Sequence, residues 1–264
     1  MKRLMIFILL LLIMSPAVAQ EKELPKTLEV VTKSWPEPHA ISQNIVFVVD
    51  ASSTINRYEG VKKKFEMGWN FLTQQFCGDS LYFRVYVFHD AGMERRTKWV
   101  DAGGPEGLTK FYRAKKWIMA NTGIYSWGLK ALRMALREKN PLDRNAATAK
   151  SLTIVLFTDG GLTEASTGYA NEEAILNSTL KNHVYKRTGS FSVVDKMIEQ
   201  EQIRRRVNGL SEATIVTIGF ENIRADIEFG LSVKQSDTDC QSWLERLGKK
   251  YHGGNFLVKT KETK

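Results

Sequence analysis

Cysteine is nearly missing from this chain, with two in 264 residues, Cys77 and Cys240. They lack the close spacing of metal or redox motifs, so zinc clusters and dithiol chemistry do not organise the molecule. Histidine is also sparse: His39, His89, His183 and His252 are scattered, and no His-Glu-x-x-His occurs. The Gly-x-Ser-x-Gly elbow and the Gly-x-x-x-x-Gly-Lys phosphate loop are absent too, which removes the common signatures of serine hydrolases and nucleotide-binding enzymes. There is no arginine-rich tail and no aromatic and basic interleaving of the RNA-binding kind.

Long apolar segments are confined to the start. Met1-Lys2-Arg3, then Leu4 to Met14, then Ala17-Val18-Ala19 give the charged start, apolar core and small-residue cleavage site of a secretory signal. The core is too short to cross a bilayer comfortably. Cleavage after Ala19 and an exported, periplasmic or secreted protein are expected, with a retained N-terminal anchor as the alternative. Export would permit a disulfide. However, Cys77 is expected at the amino ends of the strands and Cys240 at their carboxyl ends, too far apart to bridge.

The chain is 43% hydrophobic, enough for one well-buried domain. Its formal charge is +9, falling to +7 once Lys2 and Arg3 leave with the signal. Such a balance attracts nucleic acid, acidic lipid or acidic protein without choosing among them. The clusters Lys62-Lys63-Lys64, Lys115-Lys116 and Arg204-Arg205-Arg206 read as solvated helix faces.

The most informative stretch is Asp50-Ala51-Ser52-Ser53-Thr54, directly after Ile45-Val46-Phe47-Val48-Val49. A β-branched run without polar alternation predicts a strand buried on both faces. One carboxylate and three hydroxyls then stand at its carboxyl end, where open α/β sheets bind ligands. These are oxygen donors only, a set suited to Mg²⁺ or Mn²⁺ rather than Zn²⁺. Ser and Asp clusters also serve simply as turn formers. A second buried run, Ser151 to Phe157, ends in Thr158-Asp159-Gly160-Gly161, and Asn121-Thr122-Gly123-Ile124-Tyr125 leads into a helix from Gly128 to Arg137.

These three motifs together resemble the von Willebrand factor type A family, which includes the integrin inserted domains. Its metal-ion-dependent adhesion site is Asp-x-Ser-x-Ser after the first strand, a Thr before a middle helix and an Asp-Gly after the fourth strand. The resemblance implies a metal held by Asp50, Ser52, Thr54, Thr122 and Asp159: the hydroxyls of Ser52 and Thr54 touch it, Thr122 joins directly or through water, and the two acids hold coordinated waters. Thr54 stands where Ser is commoner, and Ser126 is the alternative to Thr122. Trp243 to Leu247, then Gly253-Gly254, then Asn255 to Val258 look like the family's last helix, Gly-Gly turn and final strand, so coverage runs from about Asn44 to Thr260.

The resulting expectation is a doubly wound α/β domain over 44–260, with helices on both faces of a mainly parallel six-stranded sheet. By resemblance its order is 3-2-1-4-5-6, strand 3 being an antiparallel edge. Strand 2 is expected at 81–88, strand 3 at 96–100, strand 5 at 213–219 and strand 6 at 255–259. Residues 20–43 read as an extended leader and 261–264 as a tail. A helix over 58–76 is expected to bury Val61, Phe65, Leu72 and Phe76. Another over 193–207 makes the crossover between strands 4 and 5, leaving about 164–192 as an insertion beside the metal face.

The function implied is metal-dependent recognition, in which Mg²⁺ or Mn²⁺ accepts the carboxylate of an Asp, a Glu or a chain terminus on a partner protein, rather than catalysis. Two alternatives stand beside it. Asp50-x-Ser-x-Thr54 is one substitution from the Asp-x-Asp-x-Thr motif of haloacid-dehalogenase-like phosphatases, where Asp50 would be the nucleophile, although Ser52 cannot act as the second acid. A nucleic-acid-associated component of an exported assembly rests on charge alone.

Overall fold

The computed structural model describes residues 27–37, 39–52, 59–76, 81–89, 94–104, 106–120, 122, 128–158, 191–221 and 233–261. The signal segment, the 164–190 part of the insertion and Cys77 lie outside them. Eight strands form one sheet: β1 Leu28–Ser34, β2 Asn44–Asp50, β3 Tyr82–Phe88, β4 Glu94–Arg96, β5 Val100–Asp101, β6 Thr153–Thr158, β7 Thr214–Phe220 and β8 His252–Thr260. Among the described residues five helices accompany them: α1 Glu59–Phe76, α2 Gly107–Ala120, α3 Leu129–Leu136, α4 Ser192–Val207 and α5 Val233–Lys250.

β2 lies inside the sheet, and its run Ile45 to Val49 carries no polar side chain. Every residue from Asn44 to Asp50 is buried, and β2 pairs in parallel with β3 on one side and β6 on the other. Strand alternation sends its side chains to opposite faces. Ile45, Phe47 and Val49 join a core with α1 and α2, whereas Val46 and Val48 join a second core with α3, α4 and α5. Helices therefore cover both faces, and the doubly wound architecture follows from the two-sided apolar strand.

The α1 side is an aromatic wall. Phe65 stacks on Phe157 at 5.0 Å between ring centres, and Trp69 stacks on Phe111 at 4.6 Å. Such pairs add about 0.5–1.5 kcal/mol each beyond the area they bury. Val61, Phe65 and Leu72 lie in this core as the helical spacing predicts, joined by Trp69; the Phe76 side chain is outside the described set.

The strand order is β1-β8-β7-β6-β2-β3-β4, with β5 also on β3, and it differs from the six-strand expectation at both edges. Residues 28–34, expected within a leader, are a strand running antiparallel to β8. The single edge strand expected at 96–100 is split into β4 and β5, both antiparallel to β3. Between them the chain is tied by single bonds instead, Thr97 N–H donating to the Val85 carbonyl at 2.9 Å.

The Gly253-Gly254 pair is not a free turn but part of β8. A Cβ on Gly253 would lie 2.1 Å from the Ile215 carbonyl oxygen, and Gly254 adopts φ +76° with the chain at Pro36 packed against it. The registers of β8 with both β1 and β7 shift at this place. Two glycines let three backbones come together where side chains would hold them apart.

Two of the three basic clusters are corrected as well. Lys64 and Arg205 are each 3% exposed, so neither belongs to a solvated face. The Lys64 ammonium donates to the Glu221 carboxylate at 2.7 Å and to its carbonyl at 3.1 Å, fastening α1 to the end of β7. Burial acts to raise the Glu221 carboxyl, but Lys64, the Thr260 N–H and Lys259 together outweigh it and hold the group below its ordinary range. The Arg205 guanidinium reaches the carbonyls of Leu136, Ser211 and Lys150. Cys240 lies in the middle of α5, against the α3 to α5 core.

Candidate metal centre

Parallel strands that end at the same level present their next residues side by side. In the β2·β6 ladder Val49 stands opposite Phe157, which places Asp50 beside Thr158. The Thr158 hydroxyl donates to Asp50 Oδ2 at 2.8 Å, and the Ser52 backbone N–H donates to Oδ1 at 2.9 Å. Ala51 N–H donates to the Phe88 carbonyl at 2.9 Å, so the β2·β3 ladder continues one residue past the strand. All three attachments hold the turn rigid.

Burial gives this cluster its character. Asp50 and Thr158 are fully buried and Ser52 is 4% exposed. A carboxylate is costly to take from water unless donors or cations meet it, and the fold supplies two donors that fix its orientation. His89, also buried, closes the neighbouring strand end at β3. Its ring centre lies 6.4 Å from that of Trp117 on α2.

Of the five residues assigned to the metal, the fold brings Asp50 and Ser52 together at one strand end. Thr122 is half-buried in the connection between α2 and α3. Thr54 and Asp159 lie outside the described residues, Asp159 being the next residue after Thr158; Ser126, Tyr125 and Trp127 are outside them too. The residue not singled out from sequence is Thr158. A hydroxyl closing an otherwise apolar strand, one position before an acid, was the available signal.

Among the described residues no three His, Cys, Asp or Glu side chains gather as a metal cluster. The oxygen set at the end of β2 is a different donor class, one carboxylate with neutral hydroxyls, and its chemistry fits a hard divalent cation. Among the described residues no helix is long and apolar enough to cross a membrane.

No protein-family model matches this chain, and no curated protein does either. Solved structures match at low identity. The pilus adhesin SpaC from Lactobacillus rhamnosus GG, in an open conformation, is 15% identical over 88% of this chain and 33% of its own, with a TM-score of 0.45. A variant of the PilB minor pilin from Streptococcus sanguinis is 13% identical over 83% of this chain and 57% of its own, with a TM-score of 0.45. Proximal thread matrix protein 1 from the mussel byssus is 14% identical over 81% of this chain and 48% of its own, with a TM-score of 0.37. The chain thus spans about a third of the length of SpaC.

Proposed function

We propose that this protein is an exported recognition module of the von Willebrand factor type A kind, which binds an acidic group of a partner protein through Mg²⁺ or Mn²⁺ at the carboxyl ends of β2 and β6. The observation that carries the reading is the buried Asp50 carboxylate, oriented by the Ser52 N–H and the Thr158 hydroxyl. Ser52, Thr54 and Thr122 would offer their hydroxyls to the ion, with Asp50 and Asp159 acting through its waters. Neutral hydroxyls offset little of a divalent charge, so the bound ion supplies an electrophilic position for a carboxylate from outside.

The chain's own residues set the conditions for that capture. Thr158 and the Ser52 N–H keep Asp50 from rotating, and the apolar strands beneath exclude water from one side of the turn. A water-poor site strengthens a bond between charges. The reading assigns no catalytic group, since Ser52 occupies the position at which a phosphatase of the Asp-x-Asp type needs its second acid.

The deciding experiment is affinity capture from the native host in Mg²⁺, repeated with a chelator and with Asp50→Ala. The partner is expected only in the first arm. Equal retention in all three rejects metal-bridged recognition, and phosphate release abolished by Asp50→Asn would favour the phosphatase instead.

A further inference from the structure

Between α2 and the edge of β3 lies a cavity of about 270 Å³, none of whose lining residues is assigned to the metal. Its floor is apolar, made by Val85 and Val87 of β3, Val100 of β5, and Ala114 and Trp117 of α2. Lys98, Lys110 and Arg113 also line it, with Lys98 and Arg113 exposed. Among the described residues Glu106 accompanies them, 2.8 Å from Lys110. That pair is solvent-exposed, at 45% for Lys110 and 65% for Glu106. Such pairs contribute little, so Lys110 can exchange its partner for another anion. Among the described residues, Lys98, Lys110 and Arg113 outnumber the Glu106 carboxylate at this mouth.

The wall is built into the sheet. The Thr97 hydroxyl accepts the Val85 N–H at 3.0 Å and the Thr97 carbonyl accepts Arg84 Nε at 2.9 Å, so the strap between β4 and β5 is tied to β3. Trp99 faces the opposite side, where its indole N–H donates to Glu138 at 3.0 Å. Thr97, Lys98 and Val100 of the strap line the cavity.

We infer that this cavity binds an amphipathic carboxylate, with a short acyl or aryl group on the valine floor and the carboxylate among Lys98, Lys110 and Arg113. A bare anion would leave the valines uncovered, and a bare hydrocarbon would leave the cations unused. The volume lies below the roughly 300–1,000 Å³ of pockets for drug-sized ligands, which limits the apolar part to a short chain or a single ring. Two sources share this chemistry, a free medium-chain acid such as octanoate and the carboxyl terminus of a polypeptide ending in an apolar residue.

Calorimetric titration of the full chain, with chelator present so that the metal reading plays no part, tests the assignment. The probes are octanoate and N-acetylphenylalanine, with octanol and butyrate as controls. One saturable site is expected for an acid probe, at least tenfold tighter than for either control. Tighter octanoate identifies a free acid, and tighter N-acetylphenylalanine a polypeptide terminus. The double variant Lys98→Glu with Arg113→Glu changes two exposed side chains, and it is expected to keep its melting temperature while binding at least tenfold more weakly. No saturable binding of either acid at millimolar concentration, octanol binding as well as octanoate, or undiminished binding by the double variant overturns the inference.

Discussion

Asp50 and Thr158 stand at the ends of neighbouring parallel strands, 108 positions apart in the chain, with the Thr158 hydroxyl donating to Asp50 Oδ2 at 2.8 Å. The bond joins two strand ends that the metal reading requires to cooperate. Because both groups are buried, the carboxylate has a set orientation before any ligand arrives, and preorganisation of this kind lowers the cost of binding.

Asp50→Asn separates metal binding from folding. The amide oxygen can still accept the Ser52 N–H, and the Thr158 hydroxyl can turn to accept from the new NH₂ group. Wild type is expected to gain melting temperature in millimolar Mg²⁺ or Mn²⁺ and the variant to gain none, while the two melt within a few degrees of each other without metal. Thr158→Val should cost about 1–3 kcal/mol in urea denaturation, because it withdraws a donor from a buried acceptor. Equal Mn²⁺ affinity for wild type and Asp50→Asn would remove Asp50 from the site.

Arg205 is a structural cation. Burial pushes its guanidinium down to about 10, and it still serves the carbonyls of Leu136 at 2.9 Å and Ser211 at 2.8 Å. Arg205→Met strands those acceptors and should cost on the order of 3 kcal/mol. Arg205→Lys recovers little, since an ammonium lacks the planar fork that spans several carbonyls. Urea midpoints for the three proteins check this, and a methionine variant as stable as wild type would show that the carbonyls find other donors.

Acid stability should depend on Asp143. Burial acts to raise its carboxyl, yet hydrogen bonds from Asn44, Gln43, the Asn145 N–H and Thr148 outweigh it and hold the group below its ordinary range. The folded value is therefore lower than the unfolded one. Its contribution is complete above the unfolded range near pH ~4 and is lost as pH falls through the depressed value. Asp143→Asn is expected to be less stable at neutral pH and to show a flatter loss of urea midpoint from about pH 5 to 2. Parallel curves for the two proteins would place the acid sensitivity elsewhere.

Gly253→Ala and Gly254→Ala test the closure of the β8 edge. The first puts a Cβ 2.1 Å from the Ile215 carbonyl oxygen, and the second puts one 2.6 Å from the Pro36 nitrogen at a positive φ. Each should lower stability by at least ~2 kcal/mol, seen as reduced melting temperature or loss of soluble protein. Wild-type melting in either variant would mean that β8 shifts freely.

The elements readable from sequence were those whose signal is local. β2 and β6 announce themselves as β-branched runs, β3 as an aromatic and valine run, and α1, α3 and α4 by apolar spacing or a clear length between breakers. β1 was not readable, because Leu28–Ser34 is short, mixed in polarity and paired with β8 more than two hundred positions later. α5 extends back to Val233 through a polar stretch whose helicity depends on docking Trp243, Leu244 and Leu247 against the core. Lys64 and Arg205 look like any other surface lysine or arginine until Glu221 and the Leu136 carbonyl are brought to them.

By itself, the order of residues determined a two-sided apolar sheet and an Asp and hydroxyl cluster at the end of an interior strand, because burial period and turn chemistry are properties of neighbours in the chain. Only the tertiary structure decided that Thr158 would hold Asp50, that residues 28–34 would close the sheet, and that two cations from basic clusters would lie inside. Each of those outcomes depends on contacts between distant segments, whose free energy exists only once the sheet has formed.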